Sequence, residues 1–137
     1  MKAVVRLLLL LTLTISVSAC SVLFPIKDEF DRNSREYGQM LRWQEFEKAA
    51  GIYVEPSLRD EYRKRIEAGM DAKIVDYRVI SVDCEPEKKK AEVRMELDYY
   101  LIPSARVKTV SDTQKWRYFE EPDRKGWRLE SLLPEFK

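Results

Sequence analysis

Asp112, Trp116 and Tyr118 stand at even spacing in one stretch of the chain, so in an extended backbone they share a face. A carboxylate set on such an apolar wall has its charged form disfavoured by burial. Its pKa rises, which suits a general base. Asp98 falls on the polar parity of its own stretch, beside Tyr99 and Tyr100, and is expected to meet water. No second acid or base accompanies Asp112, and Ser111-Asp112-Thr113 also fits a local bulge or turn. No catalytic residue is therefore assigned.

The chain contains no histidine. That removes the Ser-His-Asp and Cys-His nucleophile systems and the usual zinc arrangements, so neither a metal nor a cofactor is expected. A second constellation is Gln114 to Phe119, where basic and aromatic residues interleave. Trp116 and Tyr118 take one face. Lys115 and Arg117, joined by Arg128 of the next stretch, take the other and form a candidate surface for an acidic or nucleotide partner. The plainer expectation is a strand whose aromatics complete the core while its cations stand in water.

Two cysteines complete the inventory, and the first sits in a telling place. Lys2 and Arg6 open the chain, Leu7 to Ser16 are apolar or small, and Val17-Ser18-Ala19 precede Cys20. The apolar run is shorter than the roughly 20 residues of a membrane-spanning helix and matches a signal-peptide core of about 7–15. This layout resembles the signal peptide of a bacterial lipoprotein, with Val17 where that family most often has leucine. An ordinary secretory leader cut after Ala19 is the alternative.

The resemblance implies a diacylglyceryl thioether on Cys20, cleavage before it and acylation of the new amine. It also implies anchoring in the cell envelope, since several acyl chains hold where one does not. Ser21 follows, with no aspartate there to retain the protein at the inner membrane, so the periplasmic face of the outer membrane is expected. Two of the 25 basic residues, Lys2 and Arg6, lie in the leader; the remainder carries 23 against 24 acidic ones. Such a balance offers no general attraction to nucleic acid. Lipidation would also leave Cys84 without a partner, and its place at the end of an apolar stretch suits a buried, inert thiol.

Three parts follow: the leader over 1–19, a short apolar tether over 20–27 containing Pro25, and one domain over 28–137. A helix is expected from Asp28 or Asp31 to Ala50, with Gly51 as its stop. Its apolar residues spread over two sides, Tyr37 and Leu41 against Trp43, Phe46 and Ala50, as in a helix wrapped by other elements. A second helix starts near Pro56, with Leu58, Tyr62, Ile66 and Met70 as its buried stripe. Arg59, Arg63, Lys64 and Arg65 lie mostly off that stripe, as a solvated face.

Four strands are expected after it. Lys73–Cys84 switches parity near Val79-Ile80, which predicts a bulge there. Ala91–Leu101 alternates apolar and polar side chains without a break. Val107–Glu120 and Trp127–Leu133 follow, with a turn at Asp123-Arg124-Lys125-Gly126. Two helices ahead of a bent four-stranded antiparallel meander make an α+β domain.

This element order is similar to the cone-shaped nuclear transport factor two-like superfamily, and a cystatin-like helix on a sheet fits almost as well. The resemblance implies a cone lined here by Trp43, Met95, Tyr99 and Trp116. A fold so widely reused does not name a function. The expectation is a non-catalytic, membrane-anchored envelope lipoprotein that docks an envelope protein partner. A carrier of a small apolar ligand ranks behind it, and an enzyme built on Asp112 and a tyrosine ranks last.

Overall fold

The structure is a computed structural model that describes residues 25–137. The expected leader, Cys20 and residues 21–24 of the expected tether lie outside the described residues. Three helices precede a four-stranded antiparallel sheet: α1 over residues 25–42, α2 at Phe46–Tyr53 and α3 at Arg59–Ala68, the last entered through a 3-10 turn at Pro56–Leu58. The strands are β1 (Ala72–Glu85), β2 (Lys90–Leu101), β3 (Lys108–Phe119) and β4 (Gly126–Leu129), in the spatial order β1-β2-β3-β4. The chain is thus an α+β protein with a meander sheet, as its patterning predicts.

The expected long helix is two helices. Gln44 adopts a left-handed backbone with φ 60°, its N–H bonds to the Leu41 carbonyl, and Glu45 N–H bonds to the Met40 carbonyl at 2.8 Å. These two bonds form a Schellman close on α1, made without the glycine that usually marks one. Gly51, the expected stop, lies inside α2. The break accounts for the two-sided apolar pattern: Tyr37 and Leu41 are buried from α1, Ala49 and Ala50 from α2, and each helix buries its own face. Residues 25–27 are also helical, although the sequence places them in the tether. Trp127 Nε1 donates to the Ile26 carbonyl at 2.9 Å, which ties the described start of α1 to β4.

Alternation builds the sheet. Ala91, Val93, Met95, Leu97 and Tyr99 of β2 are all buried on one face, and their neighbours on β3 include Trp116, Gln114 and Asp112. The helices pack on this inner face; the other carries Glu92, Arg94, Glu96 and Asp98. Trp116 lies at the centre of the core, edge-on to Phe30, Tyr37 and Tyr53 with ring centroids 5.6–6.0 Å apart. Aromatic pairs at such angles add about 0.5–1.5 kcal/mol each beyond area burial.

Among the described residues β1 pairs only with β2, and its register shifts twice, between Ile74 and Asp76 and between Val79 and Ser81. The second shift is the predicted bulge. The fourth strand ends at Leu129, short of the expected Leu133, and Val54 and Glu55 flank its outer edge: Glu55 N–H bonds to the Leu129 carbonyl at 3.0 Å. The stripe of the second helix is buried at Tyr62 and packed at Leu58 and Ile66, but Met70 lies beyond α3 and is exposed.

Candidate functional site

Met95, Tyr99 and Trp116 come together on the inner face of the sheet, but they do so as packed core. Trp43, the fourth residue of the expected lining, does not join them. It sits at the α1 break, 72 % exposed, with the Arg42 guanidinium 5.5 Å from its ring. Tyr99 is closed over by the C-terminal segment: its ring meets Phe136 at 5.0 Å, and its hydroxyl donates to the Lys137 carbonyl at 2.7 Å.

Asp112 is 3 % exposed and faces inward, as its parity predicts. The β2–β3 ladder runs unbroken from Lys90↔Arg117 to Tyr99↔Lys108, so Ser111-Asp112-Thr113 is regular strand and not a turn. Gln114 Nε2 donates to Asp112 Oδ2 at 2.8 Å and contacts Met95 Sδ at 3.2 Å, while Trp116 Nε1 donates to Gln114 Oε1 at 3.3 Å. Burial pushes the Asp112 carboxyl up to about 6, and the Gln114 hydrogen bond pulls the other way. Nearby, the buried hydroxyls of Tyr37 and Tyr62 meet at 2.8 Å, and burial raises both pKa values. Asp112 lies outside the walls of four surface depressions on the described residues.

The basic trio lies on the outer face and is largely neutralised. Arg117 and Arg128 are direct cross-strand neighbours, Arg117 Nε reaches Glu130 Oε1 at 3.0 Å, and Arg128 donates to the Ile52 carbonyl at 2.7 Å. Lys115 sits opposite Glu92. The depression these strands line, about 410 Å3, carries Asp83, Glu85, Glu92 and Glu130 beside Lys90, Lys115 and Arg117. Its charges are mixed, as on a solvated face.

What sequence reasoning missed is the outer half of β1. Val79 and Ile80 mark the parity switch in the sequence, and in the structure they and Val82 are 51–53 % exposed. Val79 lies opposite Met95 and Val82 opposite Val93, so both point to the inner face, but α1 leaves them uncovered. A groove of about 190 Å3 separates α1 from β1, with Asp31, Ser34 and Arg35 on the helix side and Tyr77, Val79 and Val82 on the strand side. The signal was available in the element order: in a meander the first strand has a neighbour on one side only. Cys84 lies at the end of this strip, half-buried, and burial raises its thiol pKa, so it stays protonated at neutral pH.

Among the described residues no group of three acidic, cysteine or histidine side chains is placed to hold a metal ion, and no helix is long and apolar enough to cross a membrane. A comparison with protein-family models finds no match to this chain, and a comparison with curated protein sequences finds none either.

Proposed function

We propose that the protein is a membrane-anchored envelope lipoprotein without catalytic activity, held through acylated Cys20, whose domain docks an envelope protein along the free side of β1. The observation that carries the docking half is the half-exposed apolar strip Val79-Ile80-Val82 on a strand that, among the described residues, has a neighbour on one side only. An edge of this kind carries unpaired backbone donors and acceptors beside apolar side chains, which is what an incoming strand or a protein surface pairs with. The carrier reading is set aside because Trp116, Met95 and Tyr99 are packed against other side chains where a ligand would sit.

The anchoring half rests on the leader's resemblance to lipoprotein signals. Five residues, Cys20 to Phe24, link the acylated cysteine to the described start of α1, a span of at most about 18 Å when extended. The domain then works close against its membrane.

Two measurements test the two halves separately. Cys20→Ser should leave the chain uncleaved or release it to the soluble periplasmic fraction; unchanged cleavage and membrane attachment would remove the anchor. A photo-crosslinking residue at Ile80 should give a protein adduct in intact envelopes, while one at Glu67 on α3 should not. Equal labelling, or none, would remove the docking surface.

A further inference from the structure

We infer that the occupant of the β1 edge is a second copy of this chain, its β1 antiparallel to the first across a two-fold axis at the Ile80-Ser81 bulge. The inference rests on the docking proposal and names its partner.

The face pattern of β1 carries it. Tyr77, Val79, Val82 and Cys84 lie opposite the inner-face residues Leu97, Met95, Val93 and Ala91 of β2. Arg78, Ser81 and Asp83 lie opposite the outer-face residues Glu96, Arg94 and Glu92. Ile80 is the extra residue of the bulge and is exposed beside Ser81. On either side of the bulge pair Ile80-Ser81 the order is inner, outer, inner over 77–79 and inner, outer, inner over 82–84, which reads the same in both directions. Paired side chains in a sheet must share a face, and a slip by one residue sends them to opposite faces. A two-fold between residues 80 and 81 keeps these pairs matched: Val79 opposite Val82 of the second copy, Arg78 opposite Asp83 and Tyr77 opposite Cys84, with the bulge on the axis.

Charge agrees with that register. Arg78, whose guanidinium already donates to Asp98 and Glu96 of β2, faces Asp83 of the second copy on the outer side. On the inner side the groove rims meet, and each α1 carries Asp31 and Arg35 on its rim, one acidic and one basic, in reversed order across the axis. Asp76 opposite Glu85 is the one like-charged pair, at the end of the paired segment. The bulge itself selects the partner. A bulge twists an edge away from a regular strand and so discourages chance pairing, whereas a second copy presents the same twist at the same point.

Eight residues of strand pairing make a small interface, weak for free molecules. Anchoring both copies in one membrane raises their effective concentration without any new contact. The axis stands perpendicular to the sheet, so the two α1 starts lie at opposite ends of the paired strands. Both tethers reach one bilayer when the sheet lies parallel to it.

The test uses full-length chains carrying Cys84→Ser, co-expressed in a bacterial envelope. One copy carries Val79→Cys and the other Val82→Cys, both at exposed positions that tolerate the change, with a short bifunctional thiol reagent added. The mixed pair is expected to shift to twice the chain's mass, while either variant alone, and the Cys84→Ser parent, stays at single mass. An absent shift in the mixture, or equal shifts for the single variants, overturns the two-fold pairing. A Val82→Cys adduct to a different protein also overturns it, yet leaves the docking proposal standing. No adduct at either position removes both.

Discussion

The hydroxyls of Tyr37 and Tyr62 meet at 2.8 Å inside the core, joining the middle of α1 to the middle of α3. Each residue is essentially inaccessible to water, so each hydroxyl depends on the other for a partner. Removing one hydroxyl strands the other, which costs about 1–3 kcal/mol, whereas removing both costs less than the two single losses together. Tyr37→Phe and Tyr62→Phe are therefore each expected to lower the urea midpoint, with the double variant no worse than the poorer single one. Additive losses would mean that the pair is not coupled.

Asp112 makes stability depend on pH. Folding raises its pKa from 3.8 to about 6, so between those values the native state binds more protons than the unfolded chain. Stability contributed by this site therefore falls as pH rises through that window and is flat above it. At about 1.4 kcal/mol per pKa unit the neutral-pH penalty is about 3 kcal/mol at most. Asp112→Asn keeps an acceptor for Gln114 and removes the charge. It should unfold at higher denaturant than the parent at pH 7.5, with the gap closing toward pH 4. A gap independent of pH would mean that the carboxyl is not held neutral by folding.

The break after α1 sits at a glutamine in a left-handed conformation, and a glycine sits inside α2 with open space beside it. Both positions carry the less favourable residue for their backbone. Gln44→Gly and Gly51→Ala should each raise the thermal midpoint, by about 0.5–1 kcal/mol of stability. A loss from Gln44→Gly would show that its side chain, not its backbone, holds the junction.

Trp116 is packed by Phe30, Tyr37 and Tyr53. Trp116→Ala should cost about 3–5 kcal/mol, a large part of what a domain this size has. Chemical denaturation reads this directly. A near-neutral effect would point to a loosely filled cone and bring the carrier reading back.

The leader-like layout before Cys20, the absence of histidine and the α+β order of elements follow from residue types and their periods alone. So does β2: it is flanked by strands on both sides and covered on one face, so its apolar and polar residues alternate strictly from Ala91 to Leu101. The bulge at Val79-Ser81 was legible for the same reason, as a change of parity. The α1 break was not, because a Schellman close depends on backbone bonds from Gln44 and Glu45, and no glycine marks the spot. Tertiary structure alone decided which apolar residues are core. Val79 and Val82 have the same type and parity as buried strand residues, yet they line an edge that α1 leaves open. Trp43 and Trp116 are the same residue with opposite fates, since burial depends on what packs from across the chain and not on the side chain itself.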